Sequence, residues 1–154
     1  MLKYLYLFLS FIVNIVKSNN CNLNDVYYIN NYEQINYIQN CTFFNGSLFI
    51  NGEYDISNLN NLNNLEQVSG FLLIWNSHNI TDLSGIKNLN TIGGNNLYLN
   101  LYSVYIENND NLCYADSINW NLLNSNSRHQ IRYNNQHCSN CNNNCISCWN
   151  QSIC

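Results

Sequence analysis

Residues 38–50 read IQNCTFFNGSLFI and residues 62–74 read LNNLEQVSGFLLI, and the two superpose at an interval of 24. Ile38 falls on Leu62, Cys41 on Leu65, Phe44 on Val68, Gly46 on Gly70, Leu48 on Leu72 and Ile50 on Ile74. The shared pattern is apolar-x-x-apolar-x-x-apolar-x-Gly-x-apolar-x-apolar. Residues 86–98 continue it through Ile86, Leu89, Ile92 and Gly94. The final alternation in each copy reads as a short strand with one face inward, and the glycine permits a corner. A unit of about 24 residues cannot bury its apolar edge alone, so copies stack as a solenoid with a parallel sheet.

Outward from this core the pattern loosens. After Gly94 it slips, because Asn96 stands where an apolar residue is expected and Leu97 and Leu99 follow. This reads as a one-residue bulge or register change. A further strand, Val104-Tyr105-Ile106, then comes too early, so the chain makes a tight return there or lacks a coil. Both ends carry helix signals. Asn31 with Gln34 three residues on forms a capping box that opens a short helix with Tyr32 and Ile35 on one side. Asp116 caps a second helix whose Trp120, Leu122 and Leu123 are read as core. Such helices cover the open edges of the stack.

The 154 residues allow one domain with a small appendage. Net charge is −4 and charged residues are only 9%, which excludes the clustered Lys and Arg that nucleic acid or an anionic membrane needs. Asparagine fills 37 positions, interleaved with apolar residues instead of gathered in a tract, so the chain is biased yet foldable.

Residues 1–18 read as a secretory signal peptide, with Lys3, the apolar stretch Tyr4 to Val16, and Val16-Lys17-Ser18 before the cleavage point. Thirteen residues of helix reach only about 20 Å, short of a hydrocarbon core of roughly 30 Å. Cleavage removes Lys3 and Lys17 and leaves three basic residues against nine acidic, a net −6. No other run is apolar and long enough to span a membrane, which places the product outside the cell or in the secretory lumen.

In that compartment Cys21, Cys41, Cys113, Cys138, Cys141, Cys145, Cys148 and Cys154 read as disulfides and not as a zinc site, although eight cysteines permit about 105 pairings. Asn40, Asn45, Asn79 and Asn150 stand in glycosylation sequons, with Cys41 in the middle of the first. Catalytic signatures are not evident. His78, His129 and His137 are isolated, and Asp25, Glu33, Glu53, Asp55, Glu66, Asp82, Glu107, Asp110 and Asp116 are scattered. No enzyme, cofactor or metal is expected in this chain.

Asn40-Cys41-Thr42 leading to Gly46-Ser47-Leu48-Phe49-Ile50, Val68-Ser69-Gly70-Phe71-Leu72-Leu73-Ile74, and above all Asn111-Leu112-Cys113-Tyr114-Ala115-Asp116-Ser117-Ile118-Asn119-Trp120 resemble the receptor L domain of the epidermal growth factor receptor and insulin receptor families. The resemblance runs from about Cys21 to Cys138. The spacing from Cys138 through Trp149 to Cys154 looks like the opening of a furin-like cysteine-rich region. It implies residues 1–18 as signal, 19–138 as L domain and 139–154 as the start of that module. It also implies the pairs Cys21–Cys41, Cys113–Cys138, Cys141–Cys148 and Cys145–Cys154, with Trp149 tucked into the last coil. Relatives carry about one more coil between Leu99 and Val104, and the cysteine-rich region stops almost as it begins.

The expected fold is therefore mainly β, a right-handed β-helix or leucine-rich-repeat-like solenoid with capping helices and a disulfide-rich tail. The expected function is an extracellular ligand-binding module of a growth-factor-receptor-like protein of the receptor tyrosine kinase type, without a kinase domain in this chain. Its partner would be a polypeptide growth factor or hormone, or another receptor chain. If Leu48, Ile50, Leu72, Ile74, Val104 and Ile106 point inward, then Phe49, Phe71, Leu73, Trp75 and Tyr105 point outward as a contact patch. A secreted decoy or adhesion protein built on an L domain, or a truncated receptor fragment, are the alternatives.

Overall fold

A computed structural model describes residues 19–53, 55–93, 97–99, 101–113, 115, 118, 120–123, 128–135 and 138. The chain forms one seven-stranded sheet from β1 (Asn20–Ile29), β2 (Phe43–Ile50), β3 (Gln67–Val68), β4 (Leu72–Trp75), β5 (Thr91–Ile92), β6 (Tyr102–Glu107) and β7 (Arg128–Arg132). Every pairing between these strands is parallel. Two short helices, α1 (Tyr32–Tyr37) and α2 (Trp120–Leu123), and two 3₁₀ turns, Asn60–Leu62 and Ser84–Ile86, complete the described elements.

The repeat translates directly into register. Phe44 pairs with Val68 and Val68 with Ile92, while Leu48 pairs with Leu72 and Ile50 with Ile74. β1 and β2 run through both ladders, whereas the next two coils break into a short strand on each side of a corner. All these residues are at most 1% exposed, and so are Ile38, Leu62 and Ile86 at the opposite wall. Fully burying such a side chain contributes about 1.5–3 kcal/mol.

Glycines make the corners as expected. Gly46 has φ +145°, and a Cβ on Gly70 would lie 2.1 Å from Ser47 Oγ and 2.7 Å from the Gly46 carbonyl oxygen. Gly94 lies outside the described residues.

The third coil departs from the expected bulge. Val104 pairs with Leu72 and Ile106 with Ile74, so Val104-Tyr105-Ile106 is the third coil's own strand. The segment containing Leu97 and Leu99 is an insertion ahead of it, closed by an antiparallel bridge between Tyr98 and Tyr102. Spacing misled because Leu97 and Leu99 mimic strand alternation, while Leu99 has φ +52°, which no extended strand adopts. The stack closes directly from β4 to β6 and on to β7, where Ile131 pairs with Ile106.

Asparagine supplies lateral ties. Asn64 Nδ2 donates to the Gln39 carbonyl at 3.0 Å, and Asn88 Nδ2, one repeat later, donates to the Asn63 carbonyl at 2.7 Å. Where the strands end, Asn76, Asn108 and Tyr133 adopt φ of 51°, 57° and 53°. Asparagine visits this left-handed region more readily than other non-glycine residues. Each is followed by a buried polar residue, Ser77, Asn109 or Asn134. Asn109 Oδ1 accepts from Ser77 N at 2.9 Å and its Nδ2 donates to the Ile74 carbonyl at 3.2 Å. Asn134 repeats this one coil on, accepting from Asn109 N and donating to the Ile106 carbonyl, both at 3.2 Å.

The ends are capped. Asn31 and Gln34 form the expected capping box on α1, Ile35 is fully buried, and Tyr32 packs against the core. The Tyr32 phenol oxygen accepts from the amides of Ser57 at 3.1 Å and Asn58 at 3.2 Å. Trp120 is 4% exposed with Nε1 donating to the Ala115 carbonyl at 2.7 Å, and Leu123 is buried beside it. Asp116, the expected cap of α2, lies outside the described residues, as does the side chain of Leu122. Disulfides join Cys21 to Cys41 and Cys113 to Cys138. Residues 1–18, the cysteines from Cys141 to Cys154, His137, Trp149 and Asn150 lie outside the described residues.

Candidate ligand-binding face

Inward residues alternate along each strand, and the residues between them form rows across the outer face of the sheet. Tyr28, Phe49, Leu73, Tyr105 and Gln130 stand side by side on β1, β2, β4, β6 and β7. Two residues further along each strand, Trp75, Glu107 and Arg132 form a second row. The expected patch residues Phe49, Leu73, Trp75 and Tyr105 are thus brought together, and Tyr28 joins them from a strand that the repeat did not reveal.

Exposure divides the patch. Tyr28 is 53% exposed and Phe49, Trp75 and Tyr105 are half-buried, but Leu73 is 3% exposed and Phe71 9%. Leu73 is flanked by Phe49 and Tyr105, and Phe71 is covered by the ring of Tyr98 from the insertion, with centroids 5.5 Å apart. Leu73 and Phe71 therefore form the floor of the face, and the side chains that reach its surface are Tyr28, Phe49, Trp75 and Tyr105. Tyr28 and Phe49 rings lie 5.3 Å apart, while Tyr105 meets Tyr98 edge-on at 5.0 Å and Tyr102 at 5.6 Å.

The second row is polar at its β7 end. Glu107 accepts from the Tyr105 hydroxyl and, at 3.0 Å, from Arg132 Nε. Burial, reinforced by the Glu107 carboxylate, raises the Tyr105 phenol above its ordinary value. Arg132 loses some hydration, yet its bond to Glu107 outweighs this and raises its pKa. Arg132 also lies 4.9 Å over the Tyr133 ring. With the Gln130 amide nitrogen facing Tyr102 Oη at 3.0 Å, its oxygen accepts from Arg132 Nη2 at 3.0 Å.

At the β1–β2 end lies a polar cleft of about 300 Å³ lined by Asn30, Asn51, Gly52, Glu53 and Asp55. Its acids were legible only as scattered charges, because the corner after β2 brings them together.

Of the sequon residues, Asn40 is exposed and Asn79 half-buried. Asn45 is half-buried within a tie between coils, donating from Nδ2 to Asn22 Oδ1 at 2.6 Å and accepting from Ser69 Oγ at 2.9 Å. Among the described residues no three His, Cys, Asp or Glu side chains gather as a metal site, and no helix is long and apolar enough to cross a membrane. His78 pairs with Asp110 at 2.9 Å.

A comparison with curated proteins finds no match. A family model does match, that of the receptor L domain, over residues 40–150, from the turn before β2 to beyond the second disulfide. Domains of that family are extracellular, non-catalytic and ligand-binding, which fits the paired cysteines and the aromatic outer face. The repeat, the corner glycines, the two disulfides and the matched span together place this chain in the receptor L domain family.

Proposed function

We propose that this chain is the extracellular ligand-binding module of a growth-factor-receptor-like protein and that it binds a polypeptide across the outer face of its sheet. The observation that carries this reading is the row Tyr28, Phe49, Leu73 and Tyr105 with Trp75 beside it, an apolar outer surface on a domain whose own core is already complete. Aromatic side chains dominate the energetics of such contacts because they bury large area at small entropic cost. The cleft with Glu53 and Asp55, lined also by Asn30 and Asn51 just past the ends of β1 and β2, adds a place for a basic side chain of the ligand.

The same reading takes the stack as a right-handed β-helix, residues 1–18 as a signal peptide and residues 139–154 as the start of a furin-like module. It places the product on the cell surface or in the extracellular medium, as part of a receptor or as a soluble L domain.

Because Leu73 is a floor residue, the decisive variant keeps it. Tyr28→Ser with Phe49→Ser, made in the secreted protein, leaves both disulfides and the melting transition in place and lowers binding to the growth factor recovered from a panel at least tenfold. Full binding by that double variant sinks the assignment of the face.

A further inference from the structure

We propose that the outer face ends, at its β7 side, in a second contact point built from Leu99, Leu101 and Arg128, and that this point receives an acidic polypeptide segment carrying a leucine-sized apolar side chain. The inference rests on the reading of the outer face as the binding face and adds the chemistry of the partner.

The insertion in the third coil is docked onto the face by Tyr98, whose ring packs on Phe71 and Tyr105. Its neighbours turn away from that contact. Leu99 is 64% exposed and Leu101 46%, although a leucine gains nothing from water. Leu99 is held at φ +52° by a turn in which the Tyr102 and Leu101 amides both donate to the Tyr98 carbonyl, at 3.0 and 3.1 Å. A branched side chain in this region is unfavourable and persists only where its surroundings impose it, which is a common mark of a functional loop.

The charge beside these leucines is positive. The two arginines of the whole sequence, Arg128 and Arg132, both lie on β7. Arg132 is committed to Glu107, whereas among the described residues the guanidinium of Arg128 makes no ion pair. The Arg128 amide donates to the Leu101 carbonyl at 3.2 Å, which fixes it beside the leucines. The opposite end of the face carries Glu53 and Asp55. The face is therefore polarised, with Glu53 and Asp55 at its β1–β2 end and Arg128, outside any ion pair among the described residues, at its β7 end. A ligand meeting it must present carboxylates at the β7 end, where Arg128 can take one through two parallel N–H donors while its leucines pack on Leu99 and Leu101. A single arginine on a chain of net charge −4 does not hold it to an anionic membrane.

The test uses the secreted, disulfide-intact protein and a fluorescent synthetic peptide of leucines flanked by glutamates, followed by anisotropy. Saturable binding is expected. It weakens about tenfold with Arg128→Gln and with Leu99→Ser plus Leu101→Ser, and the salt sensitivity that the wild type shows is lost in Arg128→Gln. The same peptide with lysines for glutamates binds at least tenfold more weakly. If Phe49→Ser weakens the peptide but Arg128→Gln does not, the face reading stands and this inference falls. If neither variant matters, both fall. No binding of the glutamate peptide, or binding of the protein to phosphatidylserine vesicles that the leucine variant abolishes, overturns it as well.

Discussion

Leu72 stands beside Val104 across 32 residues, whereas Leu48 stands beside Leu72 across 24. The extra length is looped out at the corner of the third coil, so the stacking of inward residues is unbroken and the additional chain is spent on the outer face. Tyr98 closes that loop over Phe71, while Leu73 is covered by its strand neighbours Phe49 and Tyr105, so two of the expected contact residues become a floor.

Tyr98→Ala removes ring contacts to both Phe71 and Tyr105. Aromatic pairs contribute about 0.5–1.5 kcal/mol each beyond area burial, so urea denaturation should show a loss of about 1–3 kcal/mol with the fold retained. Binding of a hydrophobic dye to the native state should rise as Phe71 is uncovered.

Asn109 is fully buried and satisfies the Ser77 amide and the Ile74 carbonyl. Asn109→Ala orphans both, at about 1–3 kcal/mol each. Asn109→Asp keeps the acceptor but cannot donate to Ile74, and should be nearly as destabilising by thermal melting. Equal stability of Asn109→Ala and wild type would show that the tie between coils is idle.

Gly85 packs so closely that a Cβ would sit 2.1 Å from the Leu59 carbonyl carbon and 2.2 Å from its oxygen. Gly85→Ala, in the 3₁₀ turn where Gly85 and Ile86 are buried, should therefore cut secretion as severely as Gly70→Ala, measured as protein recovered from the medium. Ser84→Ala next to it should be recovered in near-normal amounts.

Two carboxylate and phenol sites set opposite limbs of the pH profile. Asp82 accepts from the Ser84 amide at 2.9 Å and from its hydroxyl, which lowers its pKa in the fold. Its contribution is present above the unfolded value of about 3.9 and is lost as pH falls through the folded one. Tyr105 is raised by burial and by Glu107, so its contribution is present below about 10 and is lost as pH rises through the folded value. Asp82→Asn should flatten the acid limb of a pH–melting curve and Tyr105→Phe the alkaline limb.

Cys21–Cys41 pins β1 and the start of β2 across 20 residues. Replacing both by serine should lower stability by about 3 kcal/mol in the chain-entropy account. Proteolysis should then begin in β1, the edge strand of the stack.

By itself the sequence determined the stack. The interval of 24 is an arithmetic property of apolar residues and glycines, and burial of one coil against the next leaves those residues a single common side. Inward Leu48, Leu72, Ile50 and Ile74, the Asn31–Gln34 capping box and the buried Trp120 were legible for that reason. β1 and β7 were not, since Asn20–Ile29 carries a register shift between Asn22 and Val26 and Arg128–Arg132 buries only Ile131, so neither shows clean alternation.

Only the tertiary structure decided what the outer face presents. Whether an outward residue is contact or floor depends on neighbours one coil away and on the insertion folded across them, as with Leu73 and Phe71. The polarity of that face is likewise tertiary, because Glu53 and Arg128 lie far apart in sequence and become its two ends only when the parallel strands are laid side by side.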